Sequence, residues 1–97
     1  MNEYVILTAY VSHQRQFQVD RALSSPGVVR FTRWEVPVVG SSDPKPELRY
    51  EAVIESGESV DRVVAAVVTA ATSKTHPEVL IVTTPAKGQI HRYELTM

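Results

Sequence analysis

The feature that most restricts the fold of this chain is a change of hydrophobic period across one short turn. From Glu47 to Glu55 the apolar residues alternate, Leu48, Tyr50, Ala52 and Ile54 being separated by Arg49, Glu51 and Val53, with Val53 the one apolar exception. A period of two places the first set on one side of a pleated strand and leaves the other side wet. Ser56-Gly57 then turns the chain, and the period lengthens. Val60, Val63, Val64, Val67, Val68 and Ala71 recur at spacings of three and four, the stripe of an amphipathic helix. Valine is a modest helix former, so a helix with five of them is stable only when the stripe is packed. A helix lying on a sheet is the arrangement that satisfies both segments. Ser59 or a neighbour is expected to cap a helix of about 60–72, with Glu58 and Asp61 complementing its dipole in the first turn.

The remaining segments extend this plan. Tyr4 to Val11 is almost continuously apolar and β-branched or aromatic, as in a strand buried on both faces and central in its sheet. Ser12 is placed to cap a helix over His13–Ser24, with Phe17, Val19, Ala22 and Leu23 on its apolar face, and Pro26-Gly27 ends it. Gly27 to Val39 reads as a second strand, Val29 and Phe31 sharing one face and Arg30, Thr32, Trp34 and Val36 the other. Pro37 denies the ladder an N–H, so that end is an edge, a bulge or a departing arm. Gly40 to Pro46 consists of turn and loop formers and is expected to project as a mobile loop. Val79–Thr83 is expected to be a fourth strand and Gln89–Leu95 a short fifth.

The order is β-α-β-β-α-β plus a short terminal strand, an α+β, ferredoxin-like split βαβ unit with two helices on one face of an antiparallel sheet. Its 97 residues make one domain. The helices cover one sheet face only, and the first strand is apolar on both sides, so the open face is expected to meet another subunit.

Composition excludes several functions. Ten Lys and Arg against eleven Asp and Glu leave no basic surplus for wholesale nucleic-acid binding. The absence of cysteine removes disulfides, thiolate zinc sites and a thiol nucleophile. No basic n-region precedes the first apolar run, so no signal peptide is expected, and a soluble cytoplasmic protein follows as the expectation.

Two stretches resemble the PII signal-transduction family. Val60-Asp61-Arg62-Val63-Val64-Ala65-Ala66-Val67-Val68-Thr69-Ala70-Ala71 is similar to that family's second helix, with its VDxVVxAIVxAA pattern. Phe31-Thr32-Arg33-Trp34-Glu35-Val36, leading to Gly40, resembles the strand that enters the family's T-loop. His76-Pro77-Glu78-Val79 also echoes the HPYEVP of the related CutA family, whose tryptophan-rich segment is missing here. The PII resemblance implies a non-enzymatic regulator, a homotrimer with ligand clefts between subunits, which acts on a target protein such as a membrane transporter or enzyme through its loop. The residues carried over to the ligand site are Thr32, Gly40, Ser41, Lys74, Lys87, His91 and Arg92. Ser41 stands where the T-loop base has Arg, Ser73–Val79 has no glycine, and His91 and Tyr93 replace the paired C-terminal arginines. The implied ligand is therefore AMP, ADP or bicarbonate rather than ATP, as in the family's carboxysome and inorganic-carbon variants.

The bland readings stand beside these. Lys74, Lys87 and Arg92 can be solvated loop cations, and His76 an exposed turn residue rather than a metal ligand. His13, His76 and His91 show no helical ligand spacing, so metal binding would need convergence. Phe31 and Trp34 are either aromatic cage members or, more commonly for strand aromatics, core and interface residues. No Ser-His-Asp set or carboxylate pair marks an active site. The alternatives to a regulator are a dimeric α+β-barrel enzyme of monooxygenase type and a CutA-like trimer that binds divalent metals.

Overall fold

The strand expected to be central lies in the middle of the sheet. In the computed structural model, which describes residues 2–37 and 47–91, β1 (Asn2–Ser12) is flanked on both sides. The other elements are α1 (Gln16–Leu23), β2 (Val28–Val36), β3 (Glu47–Glu55), α2 (Glu58–Ala71) and β4 (Leu80–Gly88). The sheet order is β2-β3-β1-β4, and every neighbouring pair is antiparallel. This is the ferredoxin-like α+β arrangement.

Register explains the two faces. Leu7, Ala9 and Val11 of β1 lie opposite Ala52, Tyr50 and Leu48 of β3, and all six are buried. Val19 and Leu23 of α1 and Val63, Val67 and Ala71 of α2 complete the core over them. The helices thus cover one face. The other carries Tyr4, Ile6, Thr8 and Tyr10 of β1, with Arg49, Glu51 and Val53 of β3 beside them. On β4, Leu80 and Val82 lie on that face too and are 60% and 47% exposed.

Several boundaries depart from the sequence reading. Ser12 is a cap, as expected, but of a single 3-10 turn, His13–Arg15: its Oγ accepts from the Gln14 N–H at 3.4 Å. The α-helix begins only at Gln16, and Phe17 is 73% exposed rather than in the core. Phe17 lies two residues, about 200° of helix rotation, from the buried Val19, so it points away from the core. The face pairing expected in β2 also shifts. A bulge between Val28 and Arg30 makes Val29 the extra residue, so Val28, not Val29, shares the core side with Phe31.

α2 starts at Glu58, earlier than a Ser59 cap would allow, and Gly57 precedes it at φ +114° without a side-chain cap. Glu58 and Asp61 do occupy its first turn. Val68 is exposed, since it lies at the flank of the stripe that Val63 and Val67 centre. The fourth strand runs on past Thr83 to Gly88, through Pro85. β4 is an edge strand, where a missing N–H need not break a ladder. Gln89, Ile90 and His91 follow it outside any strand. The rest of the expected fifth strand, and the Gly40–Pro46 loop, lie outside the described residues.

Gly27, at φ +91°, closes the other end of the molecule. A side chain there would meet Ser59 Oγ at 2.5 Å, while its carbonyl accepts from the Glu55 N–H at 2.8 Å.

Candidate ligand site

The alternation that builds the core also decides what faces solvent. Because β2 lies at the sheet edge, its open-face residues have neighbours on β3 alone. Trp34 stands opposite Arg49, and the Arg49 guanidinium carbon lies 5.5 Å from the centre of the Trp34 ring. Arg49 also pairs with Glu51 at 3.6 Å, yet its Nε is buried and has no partner among the described residues. Trp34 is 46% exposed, whereas Phe31, on the core side, packs against Tyr50 with ring centres 6.3 Å apart. The two aromatics therefore point to opposite faces.

Two concavities lie at opposite ends of β4. At its start, a groove of about 840 Å³ is bounded by Tyr10, Val68, Pro77, Val79 and Leu80, with Glu47 and Glu78 its only charged lining among the described residues. At its end, a pocket of about 390 Å³ has an apolar floor of Tyr4, Ile6, Val29 and Val53. Arg30, Lys87 and His91 line that pocket, together with Ile90, and among the described residues no carboxylate does. At the same end Glu3 of β1 stands opposite Lys87, and the two line a neighbouring concavity. The bulge brings Val29 and Arg30 to the pocket together.

The structure brings Lys87 and His91 together and adds Arg30. Thr32 is exposed on the same open face, opposite Glu51. Lys74 is exposed in the α2–β4 segment, at the far end of β4 from Lys87, so within one chain these two do not meet. Gly40, Ser41 and Arg92 lie outside the described residues. Alternation puts Arg30 on the open face with Thr32 and Trp34, as the structure does, but it does not reveal that Arg30 meets Lys87 and His91 or that the bulge sets Val29 beside it. Glu47 and Glu78 join only in three dimensions, where β3 begins and the α2–β4 segment returns.

His76 is half-buried and tied in place. Ser12 Oγ lies 3.2 Å from its Nε2 and Thr75 Oγ1 lies 3.1 Å from its Nδ1. Hydroxyls can donate or accept, so either tautomer is satisfied. Two backbone hydrogen bonds between Ser73 and His76 close the same turn. The residue fastens the α2–β4 segment to the end of β1. Among the described residues, no group of three or more His, Asp and Glu side chains is placed to hold a metal ion.

Solved structures resemble this arrangement closely in backbone. The chain superposes on Arabidopsis thaliana PII bound to citrate with a TM-score of 0.71 and 21% identity, over 88% of this chain and 78% of that one. The fold is PII-like. A DUF3240-family protein from Shewanella baltica OS155 shares the PII-like fold at TM-score 0.74 and 8% identity, over 96% of this chain and all of that one. A putative PII-like signalling protein from Thermus thermophilus gives 0.64 and 13%, over 88% of each chain. No protein-family model matches the sequence. No curated protein matches it either. At these identities the PII-like likeness is one of fold.

Proposed function

We propose that this chain is a non-enzymatic PII-like regulator. It assembles in the cytoplasm as a homotrimer, binds a small anion in clefts between copies, and acts on a partner protein through the segment between β2 and β3. The ligand is AMP, ADP or bicarbonate. The observation that carries the reading is the basic pocket: Arg30, Lys87 and His91 over an apolar floor, on a PII-like fold. A guanidinium and an ammonium beside apolar side chains suit an anion with a flat apolar body, or a small bare oxyanion. Two cations are too few for a triphosphate. The exposed Leu80, Val82 and Trp34 on the uncovered sheet face support assembly.

The test is titration calorimetry of the assembled protein with AMP, ADP and bicarbonate in turn. One of them is expected to bind, and Lys87→Ala is expected to weaken it about tenfold, the loss of one charge-assisted contact. A folded assembly that binds none of the three overturns the ligand assignment. A dimer in sedimentation equilibrium, instead of a trimer, would favour the α+β-barrel enzyme reading.

A further inference from the structure

We infer that Glu3 sets how much charge a ligand of the basic pocket can carry, by competing with that ligand for Lys87. This rests on the ligand part of the reading above and adds the residue that grades the ligands against one another. Glu3 of β1 stands directly opposite Lys87 of β4 in the antiparallel ladder. Residues paired in this way project from the same face of the sheet with Cβ atoms about 5 Å apart, within reach of a carboxylate and an ammonium. Lys87 borders two concavities. It lines the basic pocket with Arg30 and His91, and it lines a neighbouring one of about 330 Å³ with Glu3. Tyr4 and Ala86, themselves a cross-strand pair, are the other two residues common to both.

The ammonium can serve either side. Among the described residues, neither Glu3 nor Lys87 takes part in an ion pair, the two pairs present being Arg33–Asp20 and Arg49–Glu51. Both residues are exposed, so the attraction between them is a screened one that a bound anion can displace. With histidine counted as neutral, Arg30 and Lys87 bring two positive charges to the pocket, and Glu3 offsets one of them. A singly charged anion then meets a matching site. A doubly or triply charged one meets too few cations and a carboxylate beside them. By Coulomb's law the repulsion from one fixed negative charge grows in proportion to the charge on the ligand. Glu3 therefore ranks the three ligands, opposing bicarbonate least, AMP more and ADP most.

Titration calorimetry of three full-length proteins tests it: the wild type, Glu3→Gln and Glu55→Gln. It is run at low salt and about pH 8, where phosphate monoesters carry their full charge. Glu55 is an equal charge on the neighbouring strand, opposite Tyr4, and it lines neither concavity with Lys87. Glu3→Gln is expected to tighten bicarbonate about threefold, AMP about tenfold and ADP about thirtyfold. That is one factor of about three for each ligand charge, as for charges roughly 7 Å apart in water. Glu55→Gln is expected to change each affinity less than about twofold, and added salt to shrink the Glu3→Gln gains. The Glu3 carbonyl accepts from the Ser56 N–H at 3.2 Å, a backbone contact that exchange of the exposed side chain leaves alone. Glu3→Ala is expected to give the same gains and serves should Glu3→Gln fail to fold. If a single ligand binds, its gain in Glu3→Gln set against that in Glu55→Gln decides. Equal gains for ligands of different charge, or gains no larger than those of Glu55→Gln, overturn the role of Glu3 and leave the ligand assignment standing. A folded wild type that binds none of the three overturns that assignment and this inference together.

Discussion

Tyr50 ties three elements together with one hydroxyl. It is fully buried on β3, it donates to Asp20 Oδ1 of α1 at 2.6 Å, and the other oxygen of Asp20 accepts from Arg33 Nη1 of β2 at 2.7 Å. Burial raises the phenol above the ordinary tyrosine value, and the hydrogen bond to Asp20 and that carboxylate's charge act in the same direction, with Arg33 opposing them. The unfolded chain releases this proton near pH 10 and the folded chain does not. Stability from this source is therefore whole below about pH 10 and is lost as pH rises toward the folded value. The thermal midpoint of the wild type is expected to fall more steeply above about pH 10 than that of Tyr50→Phe, by up to about 1.4 kcal/mol of stability per pH unit. Equal slopes would remove Tyr50 from the account. Alternation alone shows that Tyr50 points inward. Its partners are not legible in that way, because Asp20 lies thirty positions away and carries no periodic mark.

Within elements, position on a stripe matters more than residue type. Val67 and Val68 are adjacent in α2 with the same side chain, yet the first is fully buried and the second 40% exposed. Val67→Ala removes two buried methyls from the sheet-facing core and is expected to cost about 2 kcal/mol, whereas Val68→Ala should lie within about 0.5 kcal/mol. Denaturant midpoints of the two variants measure the difference directly, and similar midpoints would mean that α2 is rotated on the sheet. The strongly periodic segments are legible: β3 spans the residues that alternate, and α2 buries the middle of its stripe. The first helix is less so. Its start is a 3-10 turn held by Ser12, by Arg15 Nε donating to the Ala70 carbonyl at 2.9 Å, and by packing rather than by period. Phe17 is large and apolar, which argues for an inward place, yet its position on the helix turns it to solvent. The β2 bulge is equally hidden, since one inserted residue changes no composition and reverses the face of everything before it.

At the scale of the molecule, the arithmetic of charge conceals its arrangement. A formal net charge of −1 resolves into a groove with two carboxylates and a pocket with Arg30, Lys87 and His91. The candidate site is half legible: resemblance points to Lys87 and His91, while alternation gives Arg30 its face but not its neighbours. The apolar strip that Tyr4, Ile6 and Tyr10 lay along the open face is legible from β1, although Arg49 and Glu51 of β3 stand beside it. Leu80→Lys with Val82→Lys places two charges on that face without touching the core. The variant is expected to keep the wild-type far-ultraviolet dichroism and to sediment as a monomer. Persistence of the assembly would mean that copies meet elsewhere.

The sheet order also sets the sequence in which the protein can be made. β1 is the first of the described strands to leave the ribosome and the one with two partners, β3 and β4, which are the last two to follow. Of the strand pairings among the described residues, only β2 with β3 joins strands that follow one another along the chain. Closing β1 against β4 brings Asn2 opposite Gly88, almost the whole length of the chain. Such non-local pairing is slow to form, and during synthesis it leaves β1 with an open, apolar edge until residue 88 has emerged. A nascent chain of this kind is exposed to strand exchange with its neighbours on a polysome. Pairing of β1 with β4 is therefore the step that completes the sheet.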